Sequence, residues 1–186
     1  MSGEWVVHTD GSGTTGGPAG IAFVARRGGE LIEDSLPLAS ATNQQAEILA
    51  AVYALHRLPA GSAVTVVSDS EYLVKGWNEY LPDWRSRGWR KRTGGTPKNT
   101  AHWRRLIEAA ERHESPVTFS WTRGHAGTLD NERADVLAVL ARQAAIAGAL
   151  TPTCGVDMPE AEPLPARTAT RESRMDTGLN RFARPS

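Results

Sequence analysis

The chain has 186 residues, 40% hydrophobic and 23% charged, with 21 basic and 21 acidic side chains. That size and balance fit one soluble domain with a sizeable core, and no apolar run nears the roughly 20 residues of a membrane span. The N-terminus carries no signal-peptide pattern, and a single cysteine, Cys154, excludes an internal disulfide and suits a reducing, cytoplasmic setting.

Trp5, Val6 and Val7 open a short run of strand formers that stops at the turn signal Gly11-Ser12. Asp10 closes this first predicted strand, where an Asp-Gly pair also reads simply as the start of a turn. Gly11 to Gly20 reads as a flexible turn region and fits neither GxxxxGK[ST] nor GxGxxG. Ile21–Ala25 is a second strand, Arg26–Glu30 a hairpin turn and Leu31–Leu38 a third strand, which together predict an antiparallel meander. From Thr42 to Leu58 the period becomes helical, with Ile48, Leu49, Val52, Leu55 and Leu58 on one stripe and Thr42 or Asn43 as cap. Glu47 sits inside this helix among alanines, where a solvated helix glutamate is the bland alternative. Val64–Val67 has the short apolar character of a central parallel strand. It ends at Ser68-Asp69-Ser70, so Asp69 is a second carboxylate at a strand's C-terminal end, or else the cap of a short helix through Tyr72, Leu73 and Val74.

Residues 76 to 105 concentrate aromatic and basic side chains. Trp77, Tyr80, Trp84, Trp89 and Trp103 interleave with Arg85, Arg87, Arg90, Lys91 and Arg92, and then with Lys98, Arg104 and Arg105. From Arg85 to Arg105 there are eight Lys or Arg and no acidic residue. Aromatic faces and cations together suit a nucleic-acid backbone, with Trp103 expected in the core. Gly94–Pro97 divides the segment into two helical parts, the second running from Asn99 to His113. Val117–Trp121 is a fifth strand. Thr122–Gly127 is then a loop carrying His125 beside glycines, and an alanine-rich helix runs from Asp130 to Gly148 with Asp135 in its first turn. From Thr151 the chain has scattered prolines, five basic and five acidic residues and no periodicity, the composition of a disordered tail. These features predict an ordered domain over 1–148 and a tail over 149–186.

If the first and fourth strands are neighbours, their C-terminal ends bring Asp10 and Asp69 together, with Glu47 and Asp135 as further carboxylates. Uncompensated, such a group repels and raises its own pKa values. Divalent cations remove the conflict, and hard oxygen ligands suit Mg²⁺ or Mn²⁺. Two ions roughly 3.5–4 Å apart form the clamp used in phosphodiester cleavage.

The motifs TDGS at Thr9–Ser12, TNQQAE at Thr42–Glu47, SDSEY at Ser68–Tyr72 and RGWR at Arg87–Arg90 follow one another in the chain. PKN at Pro97–Asn99, GHAG at Gly124–Gly127 and DNERAD at Asp130–Asp135 complete the series. In this order the chain resembles the type I ribonucleases H from about Gly3 to Gly148. The resemblance implies an α/β fold, a five-stranded mixed sheet flanked by helices. It also implies hydrolysis of the RNA strand of RNA–DNA hybrids by two Mg²⁺ ions, with Mn²⁺ as alternative. It makes Asp10, Glu47, Asp69 and Asp135 the metal ligands, and His125 an aid to proton transfer or product release. Asn43 and Gln44 match residues that meet RNA 2′-hydroxyls, Thr42 and Asn99 part of a pocket for a DNA phosphate, and Tyr80 and Trp84 the DNA-strand channel. The loop at Gly13–Gly17 is shorter than in well-known members, and Ser40 stands where some carry a phosphate-binding arginine. Rival readings are a non-catalytic hybrid-binding module, another nuclease of the superfamily such as an integrase or resolvase, and a structural protein. The expected protein is a monomer without a membrane partner, whose tail, at Leu179–Phe182, is a candidate docking segment for a replication or repair protein.

Overall fold

A computed structural model of the chain describes residues 3–113, 115–124 and 127–148, and the backbone of 167–168. β1 (Trp5–Ser12), β2 (Thr15–Arg27) and β3 (Glu30–Thr42) form the antiparallel meander. Gly28, at φ 58°, turns the hairpin between the last two, a left-handed conformation that glycine adopts without steric cost. Both long strands outrun their apolar patterns. β2 starts at Thr15, inside the glycine-rich stretch, because Thr15 and Gly17 pair with Thr42 and Ala41 across register shifts.

β4 (Val64–Ser68) lies parallel to β1 with Val7 opposite Val66, and β5 (Thr118–Trp121) lies parallel to β4. The result is the predicted five-stranded mixed sheet in the order 3-2-1-4-5, with a further two-residue strand, β6 (Arg167–Thr168), outside β3. Arg167 pairs with Leu31 and Thr168 with Glu30. No element is predicted there from sequence. The rest of 149–186, including Cys154 and Leu179–Phe182, lies outside the described residues.

The two faces of the sheet are covered differently. α1 (Asn43–Arg57) begins in a reciprocal cap, where Gln45 N donates to Thr42 Oγ1 at 3.3 Å and Thr42 N donates to Gln45 Oε1 at 2.9 Å. It packs Ile48, Leu49, Val52 and Leu55 into one core with Trp5, Val7 and Phe23 of the sheet, and with Trp103 and Leu106 of α4 (Thr100–Ala110). Each such side chain, fully buried, contributes about 1.5–3 kcal/mol. α5 (Leu129–Ile146) covers the opposite face with a stripe of small residues, Ala134, Ala138, Ala141 and Ala145. Small residues bring its backbone close to the sheet, and a Cβ on Gly20 of β2 would lie 2.2 Å from the Ala138 carbonyl oxygen. Because α5 begins at Leu129, Asp135 stands in its second turn. The first turn, where the sequence pattern places it, holds Asp130 and Glu132 instead.

Between β4 and α4 the chain runs through α2 (Glu71–Lys75), a π-helical turn at Gly76–Tyr80 and α3 (Leu81–Ser86). The wide turn begins where Gly76 meets the Trp103 ring so closely that a Cβ would stand 2.3 Å from it. Among the described residues no helix is long and apolar enough to cross a membrane.

Candidate active site

The parallel pairing of β1 with β4 sets the site. Asp10 lies near the C-terminal end of β1, Asp69 directly follows β4, and Glu47 comes from the second turn of α1. Ligand oxygens of all three lie within 4.8 Å of one another. Glu47 comes this close because α1 rests on Gly11, where a Cβ would stand 2.4 Å from the Ala46 carbonyl carbon and 2.5 Å from the Glu47 nitrogen. Gly11→Ala should therefore push α1 off β1, at an overpacking cost of about 1–3 kcal/mol. A lower melting temperature and weaker Mg²⁺ binding by calorimetry are expected; unchanged Mg²⁺ binding would mean that this contact does not position Glu47.

Burial, at 6% exposure, is the main reason that the Glu47 carboxyl titrates well above its ordinary value. The charges of Asp10, Asp69 and Asp135 raise it further, and hydrogen bonding from the Gly11 backbone offsets part of the rise. Glu47 Oε2 is buried without a hydrogen-bond partner among the described residues, a costly state for a carboxylate oxygen. Three converging carboxylates, one with an unsatisfied oxygen, form the hard donor set that a divalent cation takes. Asp135 is outside the 4.8 Å group, although its charge reaches Glu47.

Asp69 is held by groups that the sequence reading missed. Asn131 Nδ2, on a residue only 2% exposed, donates to Asp69 Oδ2 at 3.2 Å. Trp121 Nε1 donates to the Asp69 carbonyl at 3.1 Å. Ser70, not Asp69, caps α2, its Oγ accepting from Leu73 N at 3.3 Å, which leaves the Asp69 carboxylate to the cluster. A signal for Asn131 was present: it falls at helical spacing on the stripe Ala134–Ala138–Ala141–Ala145, a lone polar side chain on a buried face. His8 is also buried, two residues before Asp10 on the same face of β1, and desolvation lowers its pKa.

The expected substrate residues have different local settings. Asn43 and Gln44 are exposed in the first turn of α1, and Asn43 Oδ1 accepts from Gly13 N at 3.3 Å, pinning the short glycine loop. Thr42 accepts in the helix cap, so its hydroxyl proton can still be donated outward. Ser40 Oγ donates to the Gly16 carbonyl at 2.6 Å and thus braces the same loop. Asn99 is left-handed, at φ 59°, and its Nδ2 donates to the Tyr72 hydroxyl at 3.1 Å. Tyr80 is exposed, with its ring 5.8 Å from that of Trp84, which itself meets Trp103 edge-on at 6.0 Å. Trp103 is fully buried, as its place in the pattern predicts. His125 lies outside the described residues.

Residues 2–143 match the protein family described as RNase H. The chain is 42% identical over 134 residues to the Ribonuclease H of Xanthomonas campestris pv. campestris (strain 8004), an overlap of 71% of this chain and 87% of that protein. It is 39% identical over 141 residues to the Ribonuclease H of Roseobacter denitrificans (strain ATCC 33942 / OCh 114), covering 73% and 93%. Among solved structures, LC9-RNase H1, a type 1 RNase H with the type 2 active-site motif, superposes with a TM-score of 0.66 at 26% identity, over 77% of this chain and 74% of its own. The N-terminal RNase H domain of a Mycobacterium tuberculosis protein superposes at 0.59 with 23% identity, over 80% of this chain and 99% of its own, a likeness of fold.

Proposed function

The chain belongs to the ribonuclease H family and cleaves the RNA of RNA–DNA hybrids, and we propose that it does so with two divalent cations, leaving 3′-hydroxyl and 5′-phosphate ends. The observation that carries the proposal is the convergence of Asp10, Glu47 and Asp69 within 4.8 Å around a buried, unsatisfied carboxylate oxygen. Asp10, Glu47 and Asp69 would hold the cations, with Asp135 as the fourth carboxylate. Mg²⁺ is the natural occupant of such oxygens, with Mn²⁺ as a substitute. Held there by these carboxylates, the cations would supply charge compensation for the attacking and leaving oxygens.

The protein's own groups supply position and proton control. Glu47 gives up its raised proton on loading, and Asn131 keeps Asp69 turned toward the centre. Asn43 and Gln44 read the 2′-hydroxyls that distinguish RNA from DNA. Thr42 and Asn99 hold a phosphate of the DNA strand, Tyr80 and Trp84 stack along it, and His125 assists proton transfer or product release. The catalytic unit ends near Gly148 and acts as a cytoplasmic monomer, a setting that a lone cysteine suits. A non-catalytic binding module fits poorly, since all four carboxylates are retained.

The test is incubation of end-labelled RNA–DNA hybrid, duplex DNA and duplex RNA with the protein in Mg²⁺ or EDTA. Only the hybrid is expected to be cut, only with metal, and a chain ending at Gly148 should act likewise. Cleavage that persists in EDTA, or products with 3′-phosphates, would overturn the two-metal proposal.

A further inference from the structure

His8 lies in the middle of β1, only 8% exposed, with Val24 of β2 as its partner on one side and Val67 of β4 on the other. Cross-strand partners share a face of the sheet, and Val24 packs on Ala134 of α5. The His8 ring therefore stands under α5, on the same face as Asp10. Further along β2, Arg26 Nε donates to Asp130 Oδ2 at 2.7 Å, which ties the first turn of α5 to this part of the sheet. Asn131 follows Asp130 and shares a helix face with Ala134. That register sets its side chain over His8, on the side toward Asp69.

The Asn131 amide is engaged at one end only. Its Nδ2 donates to Asp69 Oδ2 at 3.2 Å. Its Oδ1 is buried without a partner among the described residues, and so is Nδ1 of His8. Each such atom is costly alone, yet the two are complementary, one an acceptor and the other able to carry a hydrogen. Val24, Val67 and Ala134 offer neither of them a polar side chain. Burial lowers the pKa of the ring, while the Asp130 charge and the Asn131 side chain raise it and the Arg26 charge lowers it. An amide has that raising effect when it turns its oxygen to the ring, because an acceptor favours the protonated form.

We propose that His8 is a positioning residue of the metal centre: a hydrogen on its Nδ1 goes to Asn131 Oδ1 and fixes the amide with its NH2 turned to Asp69. His8 then acts on Asp69 through Asn131, touching neither cation nor substrate. It rests on the carboxylate metal centre proposed above. In the full chain, in EDTA and at about pH 7.5, where a histidine is mainly neutral, nitrogen NMR should find the ring hydrogen on Nδ1. The resonance is assigned by its loss in H8F or in H8N. Calorimetry should then show Mg²⁺ binding about 10-fold weaker in H8F, as for other groups that orient a metal ligand from behind. H8N, whose Nδ2 stands in for the Nδ1 donor, should recover most of that loss. N131A should lose at least as much as H8F, and H8F/N131A no more than N131A, because the ring has nothing left to hold. A ring hydrogen on Nε2, unchanged Mg²⁺ binding in H8F, or a full further loss on adding H8F to N131A overturns the assignment. A parent chain that binds no Mg²⁺ would instead undo the metal reading, and the tautomer, read in EDTA, would still decide whether His8 holds Asn131.

Discussion

Asp10→Asn should abolish cleavage of hybrid while leaving the protein folded and able to bind. Losing a single preorganised charge-stabilising group costs about 10²–10³ in rate. A ligand of the carboxylate cluster should cost more, on the order of 10³-fold at least, since the cations themselves would be lost. His125→Ala should be milder, within the roughly 10²–10⁴-fold range of an acid–base group or below it. The same Asp10 change should stabilise the metal-free protein, because it removes one charge from a cluster whose oxygens lie within 4.8 Å. For a chain of this size each kcal/mol of relieved repulsion raises the melting temperature by about 2–4 °C. Hybrid cleavage and calorimetry in EDTA check both halves. Near-normal turnover would remove Asp10 from the reaction centre.

Glu47 should make the metal-free protein less stable as pH rises. Its folded pKa stands above the ordinary 4.5, through burial first and neighbouring carboxylates second. Between 4.5 and the folded value the native state holds a proton that the unfolded chain has released, so stability falls with pH across that window and stays low above it. Mg²⁺ should reverse the trend, because it takes the place of that proton; saturation at 100 times Kd adds about 2.7 kcal/mol. Activity should show the mirror image and decline about tenfold per pH unit below the folded pKa of Glu47. Melting temperatures in EDTA and in Mg²⁺, at about pH 5 and pH 8, measure the effect. Glu47→Gln should flatten the metal-free profile and eliminate turnover; a variant that kept the parental slope would place the titration on another group.

Much of this was legible because side-chain periodicity reports burial. The run of strand formers at Trp5–Val7, the helical stripe Ile48–Leu58 and the run Val64–Val67 each became the predicted element, and the carboxylates at the two strand ends were brought together by pairing of β1 with β4. Periodicity is silent where side chains are absent or where long-range contacts decide. Residues 15–20 are strand only through pairing with β1 and β3 and through α5 lying on Gly20. The π-helical turn depends on Trp103, distant in sequence, meeting Gly76. Asn131 was hidden inside a run of charges, although its helical spacing marked it as inward-facing. Counting charge grouped Arg87 and Arg92 with their neighbours, since no count shows that Asp83 pairs with both.

The order of the ligands along the chain has a consequence for the newly made protein. Asp10, Glu47 and Asp69 all lie in the first 69 residues, whereas Asn131 and Asp135 belong to α5, the last helix of the domain. The same helix supplies the layer over β2 that the early residues leave bare. At roughly 5–20 residues per second, the ribosome needs about 3–13 s to travel from Asp69 to Asp135. The newly made chain therefore carries the three clustered carboxylates early, but acquires Asp135, and the Asn131 amide that bonds Asp69, only with α5. If Asp135 serves as proposed, the centre would be complete only once α5 has been made.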